Sequence, residues 1–536
     1  MGIKSGIFII LECPKKCSWQ DFPNSSEKAL PKELFFLTYC TVNGTIYLFE
    51  NDTCPVDLWR SFRLNAIVKN KRLTAVFFCF LIVLAVCLKV FTFRAGVLDE
   101  LWPYDLSRAI TMGYIPYKDY PIVSMPLFGY LFSIPLLFSR TLFAYRVMTA
   151  LFFSVMLIAM YFLVEKRTSA GYALCTALFA ARFVELATYN MLIMFEALLI
   201  VCCLRLKNKK TGYFLIGILA SLAPLSKQSS GSILLIFVTG LAFYFSIRNK
   251  AKKLFLFYLA GVIIPLLIFL VYLILTSSFY EFWDCCFFGL VSFGGSNAAI
   301  RPEGTVPMVI IIAAGIFGDI YFWVKKRDEE SIFHLLTGIA VVSNAVPIFE
   351  YYHIVMGGLF FLIPVTYLIK EFAPKIIHIN IAPVIAVLIF AVIGFFSFEV
   401  FRDPRMSDQW DELRFIPSAG DFDYLRPLSD AKNKLESEGR NVVVFSSSSV
   451  VLAVMDGTCD PPYDMFLKGN LGTKDPLDYA KEACSDSNNV IFITADYNDE
   501  NLQNPDGILE FVQSHCDAVG TYDNWIIYSP KTNDGN

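Results

Sequence analysis

Apolar residues along this chain gather in long runs, parted by short turns that carry most of the charge. The first run spans Leu73–Phe93. Others fall at 145–164, 170–187, 190–205, 212–226, 232–247, 254–276, 307–324, 332–349, 354–369 and 379–398. A hydrocarbon core of about 30 Å is crossed by about 20 such residues, so the pattern predicts a polytopic α-helical membrane protein with about eleven spans. One more apolar stretch, 121–138, is interrupted by Pro121, Pro126 and Pro135. Proline in a helix interior costs about 3 kcal/mol. That stretch is expected as an interfacial or re-entrant helix pair rather than a crossing.

The turns set the direction. Arg60, Arg63, Lys69, Lys71 and Arg72 precede the first run, which places the N-terminus in the cytosol by the positive-inside rule. If 121–138 does not cross, Lys166/Arg167, Arg205 to Lys210, Arg248 to Lys253, Lys325 to Arg327 and Lys370/Lys375 all face the same side. If it crosses, most of these clusters face outward. The first arrangement obeys the rule throughout and puts the C-terminal segment outside.

Composition agrees with the pattern. Of 536 residues, 56% are hydrophobic and 17% charged, and mean hydropathy is +0.54. Soluble domains carry about 25% charged residues, so a soluble enzyme, a disordered chain and a fibrous repeat are excluded. Net charge is −3, but the segment from Arg402 onward holds 24 acidic and 11 basic residues. A basic membrane part is thus joined to an acidic tail, with divisions expected at 1–72, 73–400 and 401–536. The basic residues are split among loops, which excludes a nucleic-acid partner. Fourteen cysteines are scattered, without paired zinc-site spacing; Cys459, Cys484 and Cys516 allow one disulfide in the tail. Asn24, Asn43 and Asn51 fit the N-glycosylation pattern but fall on the cytosolic side. In the tail, Asn441–Phe445, Val490–Thr494 and Thr521–Tyr528 read as strands. Pro476–Cys484 and Leu509–His515 read as helices, so a small α/β domain with a parallel or mixed sheet is expected.

With these directions, several polar groups converge on the outer ends of spans: Asp99 and Glu100, Tyr189 and Asn190, Lys227 and Gln228, and Glu350 to His353. None was needed to choose the topology. A carboxylate at 99–100 is either merely solvated or a general base that takes the proton of an attacking hydroxyl; the pair could also hold a divalent cation. Lys227, in Leu-Ser-Lys-Gln-Ser-Ser-Gly, either snorkels to the interface or offsets charge on a departing phosphate. His353, beside Tyr351 and Tyr352, belongs to an aromatic belt or donates to the same phosphate while the tyrosines stack on a sugar. Arg182 and Glu185 are spaced to pair, and Glu196, deeper in its span, is expected to line a cavity.

Asp-Glu at 99–100, Gly-x-x-Pro-Tyr-x-Asp-Tyr at 113–120 and Pro-Leu-x-x-Tyr at 126–130 resemble the first-loop signature of the GT-C membrane glycosyltransferases. The likeness is to the protein O-mannosyltransferases and to bacterial aminoarabinose and other polyprenyl-phosphate-sugar transferases, over roughly 70–400. Arg146, Tyr189-Asn190, Lys227-Gln228 and Tyr352-His353 fall where that family places later polar positions. The tail resembles small outer domains of bacterial members, most clearly at Tyr463-Asp464-x-Phe-x-x-Lys-Gly-Asn-Leu-Gly472. The resemblance implies inverting transfer of a sugar from a polyprenyl-phosphate donor to an acceptor hydroxyl on a cell-envelope glycan or glycolipid, at the outer face of a bacterial plasma membrane. It implies Asp99 as base, Glu100 orienting it or the acceptor, and Lys227 and His353 on the lipid phosphate. Arg108, Tyr117, Lys118, Asp119, Arg146, Tyr189, Asn190, Gln228, Tyr351 and Tyr352 complete the expected substrate contacts. Val97-Leu98 stands where the O-mannosyltransferases carry a histidine-containing form, which weakens a protein acceptor. No cofactor is implied beyond the divalent cation that the acidic pair leaves open. The alternative reading is a transporter or lipid flippase, which would carry inverted repeats with broken helices; no such symmetry is visible.

Overall fold

The computed structural model describes residues 37–42, 45–50, 71–93, 98–184, 186–291, 299–346, 348–372, 388–395, 425–500 and 503–531. Contacts divide the chain into two units, Met1–Phe80 and Leu81–Asn536. In the first, Leu37–Val42 (β1) and Thr45–Glu50 (β2) form an antiparallel hairpin. Asn24, Asn43 and Asn51 lie outside the described residues.

Each expected run from Leu73 to 369 contains a helix, although those expected at 170–187 and 332–349 stop being α-helical at Ala181 and Val342. The helices are Lys71–Thr92 (α1), Leu142–Glu165 (α4), Ala170–Ala181 (α5), Tyr189–Leu204 (α6), Lys209–Ser226 (α7), Gln228–Arg248 (α8), Lys252–Leu275 (α9), Val306–Lys326 (α11), Glu329–Val342 (α12) and Tyr351–Phe372 (α13). The last expected run is helical over 388–395, the part that is described. Six of these, α1, α4, α8, α9, α11 and α13, are long and apolar enough to cross a bilayer unaided. The expectation of about eleven full spans is therefore refined: the others include short helices such as α5 and α6, with 12 and 16 residues. Large apolar side chains on the outer flanks of α9, such as Ile268 and Leu275, stay exposed, as lipid-facing positions must.

The connection after α1 holds two helices, Leu98–Met112 (α2) and Leu127–Leu136 (α3). At 1.5 Å per residue, the 10 residues of α3 reach only about 15 Å, half a bilayer core. Pro121 and Pro126 disfavour helix in the residues before them, so 121–126 runs without regular structure and only the rest of 121–138 coils. Phe279–Trp283 (α10) continues into a π-helical turn, Asp284–Gly289, at the same end of the bundle as this loop. A two-residue parallel pair, Ala299–Ile300 (β3) with Ile348–Phe349 (β4), ties the segment before α11 to the segment before α13.

The tail is a mixed α/β domain. Helix Arg426–Ser437 (α14), strand Asn441–Phe445 (β5), helix Ser449–Asp456 (α15), helix Pro476–Ser485 (α16) and strand Asn489–Thr494 (β6) come first. A short turn of helix, Tyr497–Glu500 (α17), helix Ile508–His515 (α18) and strands Cys516–Tyr522 (β7) and Trp525–Pro530 (β8) follow. Sheet order is β5-β6-β8-β7, with β5 parallel to β6 and the other pairs antiparallel. The single final strand expected at Thr521–Tyr528 is in fact a hairpin. Asp523, in the left-handed region at φ 48°, turns the chain there, a conformation that Asp tolerates. Phe445, Ile491, Ile493, Ala480, Ile508 and Val512 fill the core between sheet and helices. Cys484 and Cys516 are unbonded thiols, their sulfurs 3.2 Å apart.

Candidate functional site

Lys227 is the single extended residue (φ −152°, ψ 122°) between α7 and α8. Its N–H continues α7 onto the Ala223 carbonyl, and its own carbonyl accepts the Gly231 N–H. The junction is this tight because residue 231 is glycine: a Cβ there would fall 2.0 Å from the Ala223 oxygen. The break turns the Lys227 side chain sideways into a cleft of about 650 Å³, and the open first turn of α8 faces it. Val123, Ser124, Met125, Tyr189, Asn344 and His353 form its walls, with Gln228 and Ser229 beside the lysine.

Lys227 Nζ donates to Asn190 Oδ1 at 3.1 Å and to the Asn344 carbonyl at 3.4 Å, and stands 5.0 Å from the centre of the Tyr189 ring. Those partners are neutral. Among the described residues no carboxylate pairs with it, so an anion in the cleft would be its first counter-charge. Asn344 Oδ1 accepts the Ser230 hydroxyl at 2.6 Å, while its Nδ2 is buried without a hydrogen-bond partner among the described residues. A buried amide donor left open costs about 1–3 kcal/mol; a ligand oxygen would satisfy it.

Asp99 lies in the first turn of α2. It and Glu350 both lie within electrostatic reach of the Tyr189 phenol. Glu350 sits 2.9 Å from His353 Nδ1 and 3.4 Å from Arg301. Crowding by protein around Asp99 and, after it, the Glu350 charge push its carboxyl above the usual range. Tyr189 and Lys227 line the cleft, and Asp99 is not among its lining residues.

Other expected site residues are engaged elsewhere. Glu100 points away from Asp99, as neighbours on a helix do, into a buried bidentate pair with Arg146 at 2.8 and 2.7 Å. Arg146 also binds the Val90 and Phe93 carbonyls. It fastens α2 and α4 to the end of α1, so the structure gives these two a clamping task where substrate contact was expected. Arg108 pairs with Asp105 at 2.8 Å and donates to the Val454 and Thr458 carbonyls of the tail. Tyr117, at φ 74°, donates to the Ser124 carbonyl. Asp119 caps the Ile115 N–H, and Lys118 lies 3.5 Å from the Thr276 carbonyl, so the Gly113–Tyr120 loop is a self-supporting turn. Tyr351 and Tyr352 pack edge to face on each other, and of the three residues 351–353 only His353 lines the cleft. Gln228 donates to the Val123 carbonyl at 2.8 Å. Glu196 is not on the cleft wall but just behind it, accepting from Ser226 at 2.7 Å. Arg182 is described but Glu185 lies outside the described residues.

Sequence reasoning passed over Asn344 and Val123–Met125, because a lone asparagine and a Pro-flanked apolar segment carry no motif. The described residues hold one group able to bring three metal-type ligands together: Asp105, Cys459 and Asp464, mutually within 4.8 Å. Arg108 already neutralises Asp105, and Tyr120 donates to it at 2.8 Å, so a cation there would meet a guanidinium. Glu100 is likewise spent on Arg146, which leaves Asp99 without its expected partner as a ligand pair.

Comparison with known proteins follows the same line. No family model matches the chain, and no curated protein matches it. Among solved structures it is similar to ArnT from Cupriavidus metallidurans bound to undecaprenyl phosphate, at a TM-score of 0.53 and 12% identity, covering 85% of this chain and 98% of that one. The apo form of the same protein gives 0.55 and 12%, covering 85% and 97%. The oligosaccharyltransferase of Archaeoglobus fulgidus aligns more loosely, at 0.45 and 13%, over 84% and 73%. The chain therefore has the GT-C fold of polytopic membrane glycosyltransferases, with a small C-terminal α/β domain.

Proposed function

We propose that this protein is an integral membrane glycosyltransferase that moves a sugar from a polyprenyl-phosphate donor to an acceptor hydroxyl, with inversion, at the outer membrane face. The cell-envelope glycan or glycolipid of a bacterium is the acceptor class. The observation that carries this reading is a cleft lined by Tyr189, Lys227, Asn344 and His353, in which the lysine has no carboxylate partner among the described residues and Asp99 lies within electrostatic reach of the tyrosine. The fold, alike in extent to a protein crystallised with undecaprenyl phosphate, supports it.

In this reading the lipid phosphate sits against Lys227, the open turn of α8 and Asn344, with His353 beside it. Asp99 takes the proton of the acceptor hydroxyl as its oxygen bonds to the anomeric carbon. The bond from that carbon to the phosphate oxygen breaks on the opposite face, and the phosphate leaves with the electron pair, which Lys227 stabilises. A raised carboxyl range makes Asp99 a better proton acceptor than an ordinary aspartate. Glu350 holds that range and orients His353. Purified protein incubated with a panel of polyprenyl-phosphate sugars should release lipid phosphate. Absence of release across hexosyl and pentosyl donors with lipid and glycan acceptors would refute the proposal.

A further inference from the structure

The segment 121–126 is buried backbone without regular structure, so its amides need side-chain partners. Val123 is 7% exposed, and both its polar groups go to carboxamides. Its carbonyl accepts from Gln228 Nε2 at 2.8 Å, in the first turn of α8 beside Lys227, and also from the Cys286 thiol at 3.4 Å. Its N–H donates to Asn470 Oδ1 at 3.1 Å. Asn470 belongs to the tail domain. It is 1% exposed, and its Nδ2 is fixed on the Met465 carbonyl at 3.1 Å.

The tail loop that carries Asn470 is keyed to the membrane part on its other side too. Asp284, in the π-helical turn, accepts from the Thr473 N–H at 2.9 Å and from its hydroxyl at 2.8 Å. Two glycines permit that approach. A Cβ on Gly289 would lie 2.2 Å from the Gly469 oxygen, and one on Gly472 (φ 67°) would strike Asp284. Met465 and Cys459 of the tail complete the apolar cluster around Tyr117, Met125 and Leu225. The π-helical turn leads to Leu290, itself a cleft residue.

We infer that Asn470 of the tail is a positioning residue for the phosphate end of the cleft: through Val123 it fixes Gln228, and with it the first turn of α8 and Lys227. The tail is then a structural part of the site wall rather than an appendage. This inference rests on the proposed function for the identity of the bound phosphate, but the mechanical link does not.

Hydrogen exchange on the purified full chain tests the link without any substrate. Losing one hydrogen bond worth about 1–1.5 kcal/mol corresponds to roughly tenfold faster local exchange. Asn470→Ala should therefore speed exchange in 121–126 and 228–231 by about tenfold, whereas Lys468→Met, in the same loop but with its side chain on the exposed Asp506, should alter only its own surroundings. Acceleration confined to 465–473 in Asn470→Ala overturns the inference. Should Asn470→Ala fail to fold, Gln228→Met enters from the opposite side: faster exchange at 468–472 supports the link, and unchanged exchange there overturns it. Binding of undecaprenyl phosphate is the second readout, expected to weaken by about tenfold in Asn470→Ala with Lys468→Met near wild type. If the wild type does not retain that lipid at all, the glycosyltransferase reading falls while the exchange result still decides the link.

Discussion

The two ends of helix α6 each meet a basic side chain, to opposite effect. At its start, Tyr189 and Asn190 meet Lys227, a cation whose partners are an amide oxygen, a carbonyl and an aromatic face. At its end, roughly 24 Å away along 16 residues, Arg205 forms a bidentate pair with Glu330 at 2.9 and 2.5 Å. Arg167 joins it there through Asp328 at 2.5 Å and Glu330 at 3.2 Å, and His334 faces Asp319 at 2.7 Å. Charge at the Arg205 end is cancelled within the chain, and the space among those groups is far smaller than the cleft at the Lys227 end. A cancelled network fastens helices; a lysine without a carboxylate partner beside an open cleft leaves its counter-charge to a ligand. Burial alone does not separate a site from a staple. The test is whether the chain supplies the counter-charge.

The largest consequence falls on Asp99. Asp99→Asn should lower sugar transfer by about 10²–10⁴-fold, the range for losing a general base, with retention of polyprenyl phosphate unchanged; single-turnover release of lipid phosphate measures it. Near-normal transfer would remove the proton acceptor from the mechanism. Next comes Lys227→Met. Loss of a charged contact worth about 1.5–3 kcal/mol should weaken undecaprenyl phosphate binding by roughly 10–100-fold, and Lys227→Arg should recover part of it. Equal affinity in the methionine variant would mean that the cation does not meet the phosphate.

Glu330→Gln provides the matching perturbation at the Arg205 end. It loosens Arg167 and Arg205 at once and should lower thermal stability in detergent by roughly 1–3 kcal/mol, with no change in lipid affinity of the folded protein. A clear loss of affinity would break the contrast between the two ends. The smallest effect concerns pH. A base must be deprotonated to act, so transfer is present above the Asp99 pKa and is lost as pH falls through it. Burial and Glu350 raise that pKa, which places the acid limb higher than for an ordinary aspartate. Glu350→Gln removes one of the two causes and should move the limb of kcat/KM to lower pH. A shift upward, or none, would detach Glu350 from Asp99.

Much of the architecture was legible along the chain, because membrane spans follow from a local property, the length of an apolar run. The positions of Lys227, Asp99 and His353 near one end followed too, since charge in the turns orders the ends of helices. Pairing was not legible. Nothing local says that Glu100 turns to Arg146, 46 residues away, while its neighbour Asp99 turns to Tyr189 and Glu350. Arg108 looked like a substrate contact because a buried arginine in a first loop and one gripping tail carbonyls share the same sequence. The hairpin at Asp523 was missed because Asp-Asn between two β-rich runs reads as continuous strand when only the hydrophobic count is followed.

By itself, then, the amino-acid order determined the number and order of apolar helices, the interrupted first loop, and the acidic α/β tail. Each of these depends on hydropathy and proline positions within a few residues of one another. Only the folded chain decided which charges neutralise each other and which stay open, and that the tail reaches the cleft wall through Asn470 and Val123. Those outcomes depend on distances between residues up to 347 positions apart, set by how helices pack, and packing is a property of the whole chain.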